Sequence, residues 1–187
     1  MSGRLLAWST LVGLQIALAY GSRATGGKPP KDAVYHYDLA VGGLIQYGIV
    51  LAILLAIASP IARERFALRA PRSWRRALGW VLVVLVAIYA VGELFAAFLD
   101  PGGEQGLTPT GWEPDRAGAF AFNFVVIAGV APLVEELTFR GLGYSLLERF
   151  GPVAAIAVVG LTFGLAHGLV EALPILAVFG AGLAVTT

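Results

Sequence analysis

Residues Leu39–Ala62 read LAVGGLIQYGIVLAILLAIASPIA, a run of twenty-four without a formal charge. As a helix, a stretch of that length crosses about 30 Å of hydrocarbon with some tilt. The rest of the chain belongs to the same setting. Of its 187 residues, 58% are apolar and only 13% charged, and the mean hydropathy is +0.79, far outside the soluble globular range. The composition predicts a polytopic integral membrane protein with the lipid bilayer as its first partner. There is no cysteine, which excludes disulfide frameworks, thiolate zinc sites and cysteine nucleophiles.

Immediately after this span Arg63, Arg65, Arg69, Arg72, Arg75 and Arg76 crowd together, whereas Asp100 to Arg116 is mostly acidic. The net charge of +1 conceals that asymmetry. Beside an apolar span, a cluster of arginines reads as the cytoplasmic side of the topology and not as a nucleic-acid patch.

Toward the N-terminus, Leu5–Tyr20 is about 24 Å of apolar helix after Arg4 and fits either a short first span or a signal peptide. The span is preferred, because Gly21-Ser22-Arg23-Ala24 is a loose match to a cleavage site. Gly21 to Asp38 reads as a polar loop broken by Gly26, Gly27, Pro29 and Pro30. His36 lies between Tyr35 and Tyr37, in what reads as an interfacial aromatic cluster and not a ligand set.

Toward the C-terminus, Ala77–Leu99 crosses outward with Glu93 in its outer third, where a carboxylate snorkels or bonds a neighbouring helix. Asp100 to Pro114 is an external loop, with Trp112 at the interface. Ala117–Val134 returns inward, interrupted by Asn123 and broken near its end by Pro132. The helical pattern then runs from Glu135 to Phe150, turns at Gly151-Pro152, and continues from Val153 to His167. Glu171 and Pro174 mark a short connection before Ile175–Thr187. The predicted fold is an all-α polytopic transmembrane bundle, one domain over residues 1–187, with about seven spans.

Within this pattern Val134–Gly141, VEELTFRG, stands out, since two carboxylates and an arginine beside an apolar run are costly in lipid and mark a functional site. Glu135 lies sixteen residues before Gly151, and His167 sixteen after it. An antiparallel hairpin with arms of about 24 Å returns the imidazole to the level of the carboxylate. Glu136 and Arg140 share a helix face at i, i+4 and can pair, while Glu135 points about 100° away. Counting spans puts this pair near the cytosolic leaflet.

A carboxylate beside an imidazole, shielded from bulk water, suits activation of a water molecule for attack on a carbonyl, with or without a metal. The same spacing equally serves an interfacial ion pair between Glu136 and Arg140 and a helix-packing hydrogen bond at His167.

Glu135-Glu136-Leu-Thr-Phe-Arg140 resembles the EExxxR motif, and Phe163-Gly-Leu-Ala-His167 the FxxxH motif, of the CPBP intramembrane proteases. That family includes type II CAAX prenyl endopeptidases and bacteriocin-processing or immunity-associated Abi proteins. The resemblance covers Ala131 to Gly168. It implies a membrane-embedded endopeptidase of a bacterial or archaeal plasma membrane, cleaving a peptide or a membrane-protein segment near the cytosolic face. Glu135 would act as the base toward water, Arg140 would position Glu136, and His167 would bind a metal or the developing oxyanion. A divalent metal, zinc foremost, would be held by Glu135 and His167.

The chain departs from the family in one respect. A further histidine, followed four residues later by Asn or Asp, belongs on a late helix, and the remaining histidine here is His36. The expectation is a C-terminally incomplete version, inactive or nearly so as written, since a catalytic zinc takes three protein ligands. The rival reading is a non-catalytic binding, immunity or scaffold protein that uses the hairpin for packing. Other intramembrane protease classes fit worse, with no HExxH, Gly-x-Gly-Asp or Gly-x-Ser-Gly, and Ser145 has no recognisable base. Glu93 and Asn123 are too few polar groups for a transport pathway.

Overall fold

The computed structural model describes residues 3–26, 32–58, 73–95, 98–99, 104, 107 and 109–185. Six helices organise them: α1 (Gly3–Gly26), α2 (Tyr37–Ala58), α3 (Trp74–Phe95), α4 (Pro114–Phe150), α5 (Pro152–Ala166) and α6 (Leu173–Val185). The described residues contain no strand. Helices α1 to α4 are each long and apolar enough to cross a membrane, and α5 and α6 are shorter apolar helices. The helical membrane bundle is as expected.

Among the described residues the expected count of about seven spans is not confirmed, and α4 accounts for part of the difference. Two of the expected segments, Ala117–Val134 and Glu135–Phe150, are one continuous helix of 37 residues. Pro132 does not break it. The backbone widens to π-helical geometry at Val126–Val130 and again at Glu136–Gly143. A proline lacks the N–H for its i−4 carbonyl and crowds that group, here Ala128. Because Ala128 lies inside the first π stretch, the hydrogen-bond ladder is already re-registered where the proline falls.

Other boundaries move less. α1 continues to Gly26, through the first third of the segment expected as loop. Pro174 sits in the first turn of α6, where a missing N–H costs nothing. The arginine-rich loop lies outside the described residues, apart from Arg75 and Arg76 in α3.

The core gathers Leu5, Trp8 and Val12 of α1, Leu54 of α2, Leu137, Phe139 and Leu142 of α4, and Val159 and Phe163 of α5. By contrast α3 buries only Val84 and exposes Leu78, Val81, Leu82, Leu85, Val86 and Tyr89. Apolar exposure over most of a helix suits a largely lipid-facing element. Small residues let α5 and α6 approach closely: a Cβ on Gly160 would lie 2.7 Å from the Ala177 carbonyl oxygen, and one on Gly164 3.0 Å from the Ala177 nitrogen.

At the start of α4 the Asn123 amide donates to the carbonyls of Val34 (3.0 Å), His36 (2.8 Å) and Ala119 (3.0 Å), fastening the approach to α2 onto α4. His36 itself faces Asp32 and Arg116, beside a ring cluster of Tyr35, Trp112 and Phe120.

Candidate active site

Gly151 makes the hairpin that assembles the site. Its φ of 99° is a conformation that side chains rarely adopt, and Pro152 follows at the first turn of α5. The two arms run antiparallel and bring His167 Nε2 to 4.0 Å from Glu135 Oε1. The side chains are 25% and 22% exposed, so both lie largely inside the bundle. Glu136 and Arg140 form an ion pair along α4.

The second π stretch carries Glu136 and Arg140 and is braced by α1. Trp8 donates its indole N–H to the Thr138 carbonyl at 2.9 Å. Its ring covers Gly143, where a Cβ would meet it at 2.6 Å. Thr138 turns its hydroxyl back to the Val134 carbonyl at 2.7 Å. The widened backbone beneath the acidic pair is thus filled by one large side chain.

His167 Nδ1 lies 2.8 Å from the Phe163 carbonyl oxygen. A carbonyl only accepts, so Nδ1 carries a proton, and Nε2 is the ring nitrogen left facing Glu135. Phe163 also packs against the imidazole, 4.7 Å between centroids, and is itself held by Phe139 and Phe179. The direction of the ring is therefore fixed, with Nδ1 bound to α5 and Nε2 toward Glu135.

Tyr47 of α2, absent from the residues singled out above, donates its hydroxyl to Glu135 Oε1 at 3.3 Å. A tyrosine in the middle of an uncharged span, away from the interfaces where tyrosine is favoured, is the sequence signal for it. Tyr47 is the eleventh of the 22 residues of α2, so Glu135 sits at that helix's mid-depth. The cytosolic placement assumed a helix ending near Pro132. Since α4 runs on to Phe150, about 22 Å of helix separates Glu135 from that end. Ser145 donates to the Leu142 carbonyl, and among the described residues no base is bonded to it. Glu93 is exposed on α3.

Among the described residues no three His, Cys, Asp or Glu side chains come together. Glu135 and His167 supply two donors with suitable lone pairs, one fewer than a catalytic zinc takes from protein. The described residues therefore do not fit a complete metal site; the expectation of inactivity rested on a zinc with three protein ligands, and the chemistry below runs without a metal.

Fold and site together define a polytopic helical membrane protein with a carboxylate–imidazole pair enclosed by its bundle. Residues 117–187 match the family model of type II CAAX prenyl endopeptidases, Rce1-like. This part of the chain, which carries both motifs, is similar to that family. No curated protein and no solved structure matches the chain.

Proposed function

We propose that the protein is an intramembrane endopeptidase that hydrolyses a peptide bond by water activated at Glu135. One observation carries the reading: a carboxylate oxygen and an imidazole nitrogen from motifs on two helices converge at 4.0 Å inside the bundle. A water between them donates one hydrogen to Glu135 and the other to His167 Nε2, so both lone pairs orient it.

Glu135 takes the proton as the water oxygen bonds to the scissile carbonyl carbon, and the tetrahedral oxyanion forms. Tyr47 is the neutral O–H donor nearest the reacting carboxylate and turns toward that oxyanion. On collapse the C–N bond breaks and Glu135 returns its proton to the leaving amine, leaving a carboxylic acid and an amine. The Glu136–Arg140 pair fixes the side of α4 beside Glu135 and holds the second acid out of the reaction. The substrate is a peptide or a membrane-protein segment admitted to the depth of Tyr47.

The test is hydrolysis of fluorogenic peptides by the purified chain in proteoliposomes, compared with Glu135→Gln and His167→Ala. Loss of activity by about 100-fold or more in Glu135→Gln is expected for removal of a general base. Hydrolysis that survives Glu135→Gln unchanged refutes the mechanism. Peptide binding with no turnover favours the non-catalytic reading instead.

A further inference from the structure

Glu104 lies in the connection between α3 and α4, and its side chain is 3% exposed. Its Oε1 accepts the Val170 N–H at 2.8 Å and pairs with Arg23 Nη2 at 2.5 Å. Its Oε2 accepts the N–H groups of Glu171 at 2.8 Å and Ala172 at 3.1 Å. These three consecutive donors immediately precede Leu173, the first residue of α6. A carboxylate from 66 to 68 residues away thus satisfies the backbone of the whole turn.

That turn begins at His167. The His167 and Gly168 N–H groups close the last turn of α5 on the Gly164 and Leu165 carbonyls. Gly168 then takes a φ of +66° and faces α1 so closely that a Cβ would lie 2.8 Å from the Ala19 Cβ. Tyr20 reaches the Leu169 carbonyl at 3.4 Å. Every residue from Gly168 to Ala172 is therefore held by α5, by α1 or by Glu104. The imidazole is one peptide away from this clamp.

We propose that Glu104, with Arg23, is a positioning residue for His167: by fixing the Gly168–Ala172 turn it sets the direction in which Nε2 faces Glu135. This rests on the reading of His167 as part of the site. With the carboxylate removed, three adjacent N–H groups lose their acceptor and must find others, which re-aims the backbone that ends α5. A simple structural cap would leave the His167 ring unmoved.

The experiment reads the ring directly. His36→Gln leaves His167 as the single histidine, and its ring ¹⁵N signals are recorded in detergent micelles with and without Glu104→Gln. The parent shows mainly the Nδ1–H tautomer. In Glu104→Gln at unchanged helix content the Nε2–H form rises severalfold, and peptide turnover falls about tenfold in kcat with little change in KM. Glu104→Asp, which keeps the charge, recovers part of both.

An unchanged ¹⁵N spectrum in folded Glu104→Gln overturns the inference. Should that variant not fold, Glu104→Asp carries the test, because its carboxylate withdraws by about 1.5 Å, and an unmoved His167 there overturns it as well. A chain that hydrolyses no peptide removes the proposed activity without touching the ¹⁵N comparison, so the two failures are told apart.

Discussion

Replacing Gly160 by alanine tests the packing that delivers His167 to Glu135. The added Cβ would lie 2.7 Å from the Ala177 carbonyl oxygen, 2.7 Å from the Ala181 Cβ and 2.8 Å from the Ala181 nitrogen. Two of those three atoms are backbone of α6, so no side-chain rotation relieves the contact. The helices must part by roughly 0.7 Å or more to restore ordinary separation, and overpacking of this kind costs about 1 to 3 kcal/mol. Alanine regains about 1 kcal/mol over glycine inside a helix.

The balance is a loss of about 1 kcal/mol, or a thermal midpoint lower by about 2 to 4 °C for a chain of this size. Gly79, on α3, has nothing within 4 Å of an added Cβ, so Gly79→Ala carries the gain without the clash and raises the midpoint or leaves it unchanged. Circular dichroism melts in one detergent compare the two. The displacement of α5 also carries His167 outward, and peptide turnover falls about tenfold, as misplaced catalytic groups do. A Gly160→Ala protein as stable as the parent, with full turnover, refutes the close α5–α6 contact and the reasoning built on it.

Trp8→Phe takes away both the indole donor of the Thr138 carbonyl and the indole edge over Gly143, at a cost of at least about 1 to 3 kcal/mol in the same melts; an unchanged midpoint contradicts the brace. Tyr47→Phe removes the hydroxyl beside Glu135 and lowers kcat by about tenfold or more with KM little altered, and equal kcat would take Tyr47 out of the mechanism. For Glu104, burial pushes the carboxyl up, but three backbone N–H donors and Arg23 outweigh it and hold it below the ordinary carboxylate value. A depressed carboxyl contributes stability above its unfolded value that is lost as pH falls through the folded one. Hydrogen exchange at Val170, Glu171 and Ala172, corrected for its intrinsic pH dependence, therefore loses protection as pH falls below the usual carboxylate range, and does not in Glu104→Gln.

The pairing of Glu135 with His167 was legible because it depends on two quantities a sequence displays, the rise of a helix and the position of a turn. Sixteen residues on either side of Gly151 suffice to bring the two groups level. The Glu136–Arg140 pair was legible for the same local reason. Continuity through Pro132 was not, since a proline reads as a breaker unless the π turn before it is known, and no residue of Val126–Val130 announces that turn. Tyr47 was passed over because one phenol in an uncharged span looks like a lipid-facing aromatic until the neighbour across from it is identified. Glu104 was hidden for a different cause: its partners are backbone N–H groups more than sixty residues away, and nothing in an acidic loop distinguishes the carboxylate that turns inward.

The unbroken course of α4 has a further consequence for the lipid around the protein. Its 37 residues amount to about 55 Å of helix, far more than a hydrocarbon layer of about 30 Å holds upright. The helix must lean or project beyond the layer, and the choice shifts with membrane thickness. Acyl-chain length would thereby set the depth at which Glu135 lies in the layer, and under the proposed activity the same chain in thin and thick bilayers would select different bonds along one substrate.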